Sequence, residues 1–292
     1  MTTDLAAIAR TLTVDALAVD AITALRAAGV EPVLLKGPVV AARLYGDEPR
    51  AYSDADLLVA PRDRVRAESA LRAAGFAPQP RDWESHEHVE HDAVWRRPGD
   101  GAALDLHRTL PGVVGVSPER LWRVLAPHRE LFALPGAAGG VDTLDPPAFG
   151  LLCGLHAAHH LGDGAASEKP LADLARAVER IAPPTWSAAA ALAGRLRCAE
   201  QLARGLHAVA DGAALADVLG LPAPAAEADD VDPGERLAAN RAPAARLRLV
   251  TRALLPSPSY LRWRSRLARR GLGGLVLAYL VRPFVLLRSA TR

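Results

Sequence analysis

Lysine is almost missing from this chain: only Lys36 and Lys169 stand against 33 arginines. Positive charge is therefore supplied nearly everywhere by guanidinium, and a lysine kept against that bias points to a place where a compact ammonium must approach one oxygen. Cysteine is as scarce. Cys153 and Cys198 sit in Ala- and Leu-rich stretches without CxxC spacing, which argues against a disulfide framework and for buried thiols in a reducing cytoplasm. Aromatics make up 4% of a chain that is half apolar, so alanine and leucine carry the core; this mix favours close-packed helices over an all-β sandwich. The N-terminal MTTDLAAIAR has an acid at Asp4 and no basic region leading into an apolar stretch, so a cleaved secretory leader is not expected.

Acidic residues are absent from 237–292, which hold twelve arginines; subtracting that +12 from the net +2 leaves −10 for residues 1–236. A nearly neutral chain thus ends in a basic tail able to meet phosphate, an anionic surface or its own acidic body. The apolar run 271–281 in this tail is eleven residues long and is stopped by Arg282-Pro283, too short to span a bilayer. A packing helix with a basic face is expected there; weak contact with a membrane surface stays open.

Turn residues and periodicity organise the rest. Residues 4–28 have helical spacing and stop at Gly29, Pro32–Leu35 is an apolar run of strand length, and a helix can start at Pro38 and run to about Tyr45. Ser53–Ala60 reads as a strand, Pro61–Gly75 as a helix, and the alternating runs 88–97 and 102–108 about Pro98-Gly99-Asp100-Gly101 as a hairpin. From Pro146 onward the pattern predicts helices over 146–161, 168–182, 186–210, 233–254 and 259–288, with 221–234 as a linker. The fold class expected is α+β: a small mixed sheet with flanking helices over residues 1–145, then an all-helical domain over 146–292 that carries the basic tail.

Chemistry concentrates in the first half. Along a strand, Asp54 and Asp56 project from one face roughly 6–7 Å apart. Two carboxylates so placed repel unless a cation lies between them, and hard oxygen ligands suit Mg²⁺, with Mn²⁺ as an alternative. Alone, an Asp-x-Asp at a strand start is explained better by a solvated turn. Asp105, however, lies within Ala103-Leu104-Asp105-Leu106-His107, where alternation places Leu104 and Leu106 on the core face and Asp105 and His107 on the other. Three acids would converge if the two strands were close, as a two-metal site needs. Leu34-Leu35-Lys36-Gly37-Pro38 forms a strand-to-helix turn in which glycine lets amides approach an oxyanion and Lys36 adds a full charge.

Residues 33–60, VLLKGPVVAARLYGDEPRAYSDADLLVA, resemble the signature of an uncharacterised bacterial nucleotidyltransferase family within the DNA polymerase β-like superfamily, through Lys36, Gly37, Tyr45, Arg50, Asp54 and Asp56. The family's later landmarks, a histidine before a hairpin and an acid-Leu-His after it, correspond to His91 and Asp105-Leu106-His107. The likeness is good over about residues 20–110 and thinner beyond, where His156-Ala157-Ala158-His159 and Lys169-Pro170-Leu171-Ala172-Asp173-Leu174 resemble its helical half. The turn departs from the wider superfamily, which has Gly-Ser where this chain has Lys-Gly-Pro. The resemblance implies an enzyme that moves an NMP group from an NTP, ATP by default, to an unidentified acceptor. Asp54, Asp56 and Asp105 would be catalytic and hold Mg²⁺, while Lys36, Gly37, Arg50 and Ser53 would contact the nucleotide.

His91, His107, Lys169 and Asp173 are accessory candidates. Lys169 and Asp173, four apart on a helix, equally fit a surface ion pair, and His156 and His160 a structural pair. The spacing of His86, His88 and His91 among Glu84, Glu87 and Glu90 matches no zinc motif. Two other functions compete: a catalytically silent nucleotide- or partner-binding module, against which the retained acids and Lys36 speak, and an RNA-directed transferase or toxin, supported only by the arginine-rich tail. Nucleic acid ranks below a small acceptor because few aromatics are interleaved with the arginines.

Overall fold

The computed structural model describes residues 5–79, 91–99, 102–113, 115–161, 168–223, 265, 267–268 and 270–289, with the backbone alone at 91–93 and 283–289. Helix α1 (Leu5–Ala27) buries Val14, Leu17, Ala18, Ala21, Ile22 and Leu25, the single stripe that a 3.6-residue period produces. Strand β1 (Val33–Leu34) leads through Gly37 into α2 (Pro38–Val40), which continues as a π-helical turn over Ala41–Tyr45. Gly37 has φ 65° and ψ −113°, a conformation closed to residues with a Cβ, so glycine is what lets the chain turn here. Next come β2 (Asp54–Leu58), a 3₁₀ turn (Pro61–Asp63), α3 (Arg64–Ala73) and β3 (Ala77–Pro78). Strands β4 (His91–Arg96) and β5 (Ala103–His107) then form the expected hairpin.

The sheet has seven strands in the order β3-β4-β5-β2-β1-β7-β6, with β5/β2 and β1/β7 parallel and the other neighbours antiparallel. It is thus a mixed sheet with helices against it, as the pattern predicted, but larger. The added edge is a hairpin of β6 (Arg129–Phe132) and β7 (Val141–Leu144), following α4 (Pro118–Leu125). Periodicity concealed it because β6 is mostly exposed and only four residues long. Tertiary contacts hold it: Thr143 Oγ1 donates to the Leu34 carbonyl at 2.7 Å, and the Arg43 guanidinium reaches both the Leu144 carbonyl, at 2.7 Å, and Glu130.

The helical part begins with α5 (Pro146–His159), whose first turn is capped by Asp145 accepting from the Ala148 amide at 3.0 Å. Ten of its fourteen residues are buried, because it is surrounded by α6 (Glu168–Arg180), α7 (Pro183–Arg195) and α8 (Ala199–His207). A Cβ on Gly205 would lie 2.2 Å from the Gly154 carbonyl, so α5 and α8 approach backbone to backbone through paired glycines. The single helix expected over 186–210 is two: Arg197 takes a positive φ of 55° and breaks it, and α9 (Gly212–Val218) follows α8.

Contacts divide the chain into one compact unit of residues 1–79 with 90–225 and another of residues 80–89 with 226–292. The second contains α10 (Gly271–Ser289), where Leu275 and Ala278 pack with Ala268. The expected linker from residue 224 on, the helix over 233–254 and the histidines at 86 and 88 lie outside the described residues. No helix among the described residues is long and apolar enough to cross a membrane.

Candidate active site

Strand pairing brings the acids together. In the parallel register of β2 and β5, Asp54 lies beside Ala103, Asp56 beside Asp105 and Leu58 beside His107, so the polar members of both alternating patterns meet. One donor atom each from Asp56, Asp105 and His107 lies within 4.8 Å of the others. His107 Nε2 donates to Asp56 Oδ1 at 2.8 Å, and Lys36 Nζ approaches the same oxygen at 2.9 Å. Lys36 also donates to His156 Nε2 at 3.4 Å. On β5, His107 is fully buried along with Leu104 and Leu106, and Asp105 is partly buried.

Holding Asp56 at 2% exposure costs on the order of several kcal/mol in lost hydration. Burial therefore works against its charge, but Lys36 and His107 outweigh it and hold the carboxyl well below its ordinary range. The reverse applies to Asp105, where burial first and the charge on Asp56 second push the pKa up to about 7. Its Oδ1 is buried without a hydrogen-bond partner. Asp54 is raised by burial and by Asp56, and Lys36 is raised because the three carboxylates outweigh its own burial. The floor is thus an acidic cluster with one ammonium set into it.

Above the floor, Lys36, Gly37, Arg50, Tyr52, Ser53, Asp54, Asp56, His156, His160, Lys169 and Pro170 line a cleft of about 190 Å³. Lys169, exposed at the rim, has a pKa lowered by burial and then by Arg50. Asp105 and His107 are not part of this lining; they stand on β5 beside Asp56 and Leu58. The backbone of His91 lies opposite His107 at the start of β4.

The contacts decide between two pairs of alternatives. Lys169 and Asp173 do not form a surface ion pair; Asp173 is buried and accepts from Arg50 Nε at 2.8 Å, from Arg50 Nη2, and from the Tyr45 hydroxyl at 2.9 Å. Arg50, placed among the nucleotide contacts, spends two of its nitrogens on that brace, and its third, Nη1, is buried and unpartnered. With Arg176 on Glu48, these contacts hold α6 against the turn that leads into β2. His156 and His160 do pair, with ring centroids 4.8 Å apart, and both also line the cleft. The HxxxH spacing showed that they share a helix face, but not what that face meets.

A family model described as uncharacterised nucleotidyltransferase matches residues 3–211, about seven-tenths of the chain. The chain belongs to this family. Among solved structures it is similar to the solution structure of the antibiotic-resistance factor ANT(2'')-Ia, at 15% identity over 64% of this chain and 94% of that one, with a TM-score of 0.43. No curated protein matches. A nucleotidyltransferase generally uses a divalent metal, and the residues present fit one: the unpartnered Asp105 Oδ1 is the kind of buried acceptor that a cation satisfies, and Asp56 and His107 stand beside it.

The raised pKa of Asp105 is expected to make metal binding at this cluster depend on pH. Its folded pKa of about 7 lies above the ordinary 3.8, so the stability that the retained proton contributes is lost as pH rises from about 4 to 7, and above 7 the buried carboxylate is charged. Asp56 is shifted the opposite way and titrates below that window. Mg²⁺ is therefore expected to raise the melting temperature more at pH 8 than at pH 5.5 in scanning fluorimetry. An equal rise at both would contradict the assignment.

Proposed function

We propose that this nucleotidyltransferase moves an NMP group from an NTP, ATP by default, to the hydroxyl of an unidentified small molecule, peptide or carrier and releases pyrophosphate. The observation that carries this reading is the pairing of Asp56 with Asp105 across β2 and β5, next to a cleft entered through the Lys36-Gly37 turn. Asp54, Asp56 and Asp105 would hold Mg²⁺ or Mn²⁺. A metal so held supplies charge neutralisation of the polyphosphate and of the oxygens that enter and leave.

The chain's own residues do the rest. The cleft is smaller than the ~300–1,000 Å³ of a pocket that encloses a whole organic ligand, which supports its holding the phosphate end and leaving the base outside. Ser53 and the Gly37 turn position that end. Lys36, from between Asp56 and His156, adds positive charge beside it, and Lys169 closes the rim from α6. Asp105 would take the proton from the acceptor hydroxyl; the acceptor's oxygen then forms a bond to the α-phosphorus as the bond from that phosphorus to the bridging oxygen breaks, and the electron pair leaves with pyrophosphate. Arg50 and Asp173 act as positioning residues, keeping α6 beside Ser53 and Asp54. Strands β1, β2 and β5 would thus supply the metal-binding face and α5 and α6 the opposing wall, through His156, His160, Lys169 and Pro170, in a protein that works in the reducing cytoplasm.

Calorimetry tests the core of this reading. NTP should bind in Mg²⁺ or Mn²⁺ and not in EDTA, because an acidic floor repels a bare polyphosphate. Equal affinity in both conditions would remove the claim.

A further inference from the structure

We infer that α10 lies along a membrane surface rich in anionic phospholipid, with its outer face among the acyl chains and the arginines that precede it on the headgroup phosphates. The helix is turned inside out for one that meets only water. Arg282 is buried, while Leu272, Val276, Leu277, Leu280 and Val281 are exposed, Leu272 by 77% and Leu280 by 63%. Leu272, Val276 and Leu280 recur every four residues, and Leu277 and Val281 form the neighbouring stripe. At 3.6 residues per turn these side chains cover about half the circumference, and no charged residue interrupts them. Leu275 and Ala278 pack on the other side with Ala268, so the outer arc is not what holds the helix in place.

Single apolar side chains on a surface need no explanation, but a contiguous face does. Of the eleven large exposed ones among the described residues, five fall within 272–281.

Charge selects the occupant. Residues 237–292 carry twelve arginines and no acid, and five of those arginines stand in 262–270, directly before the helix. A second copy of this chain would bring the same positive charge against it, and a nucleic acid has no apolar medium to receive five aliphatic side chains. An anionic bilayer offers both partners: phosphates for the guanidinium groups and hydrocarbon beneath them. Tyr260 and Trp263, set among those arginines in the sequence, are the residue types that favour the membrane–water boundary. The apolar stretch stops at Arg282-Pro283, and no described helix is long and apolar enough to cross, so α10 lies in the plane of the surface rather than through it.

Vesicle flotation of the full chain, without nucleotide or metal, tests this independently of the transfer reaction. The protein should rise with phosphatidylcholine vesicles that contain about one-third phosphatidylglycerol at least about tenfold more than with phosphatidylcholine alone. Part of the bound fraction should persist in roughly 0.5 M salt, which screens exposed charges beyond a few ångströms. Leu272→Ser with Leu280→Ser removes apolar area without adding charge and should abolish that salt-resistant fraction. No binding, equal binding to both kinds of vesicle, or complete release by salt would overturn the inference. So would a concentration-dependent dimer, seen in sedimentation without lipid and dissolved by the double substitution, because the face would then belong to a second copy. The wild-type salt series decides even if the variant fails to fold.

Discussion

Replacing Asp105 by asparagine is expected to lower nucleotidyl transfer about a thousandfold while leaving metal-dependent NTP binding within a few-fold. Asp105 stands beside Asp56 on the neighbouring strand, outside the lining of the cleft, so it contributes little to holding the phosphates there. Its role is instead at the reacting oxygen, where asparagine can neither take a proton nor match a carboxylate toward a metal. Losing roughly 4 kcal/mol of transition-state stabilisation corresponds to the thousandfold. Asp54→Asn should behave differently and weaken metal-dependent binding itself, since Asp54 faces the cleft. Transfer of label from an α-phosphate-labelled NTP to acceptors in a cell extract, run beside calorimetry, separates the two. A fully active Asp105→Asn protein would sink the catalytic assignment.

The largest loss of stability is expected from Asp173→Ala. Arg50 is 8% exposed and Asp173 3%, and removing the acid leaves a buried guanidinium with no counter-charge. Breaking a buried pair from one side costs about 3–5 kcal/mol, because the remaining charge keeps its desolvation penalty and loses its partner. The Tyr45 hydroxyl loses its acceptor as well. Replacing both residues with apolar ones, Arg50→Met with Asp173→Leu, should recover most of that loss, since neither charge then remains buried. Urea denaturation of the two variants gives the comparison. A cost below about 1 kcal/mol for Asp173→Ala, of the size found for surface ion pairs, would mean that the brace does not hold α6.

Much of the site was readable before the fold. The alternation Asp54-Ala55-Asp56 and Asp105-Leu106-His107 follows from backbone stereochemistry, which sends every second side chain to the same face in any strand. Gly37 was readable because only glycine takes the dihedrals of such a turn. The brace was not. Arg50 and Asp173 are 123 residues apart, and an arginine near acids looks the same whether its partner is the next turn or another domain. The β6–β7 hairpin was missed for a related reason: short, half-exposed strands have a weak period, and their place is set by partners such as Leu34 and Arg43.

The sequence by itself determined the local elements, the faces on which the acids and His107 stand, and membership of a nucleotide-transferring family, because each depends on short-range stereochemistry or on a contiguous motif. Only the tertiary structure decided that β5 enters the sheet parallel to β2, that the imidazole of His107 points into the carboxylates, and that α5 and α6 bring His156 and Lys169 to the cleft. Those outcomes depend on which buried surfaces fit together across the chain, a balance of packing and desolvation over distant residues that no local period encodes.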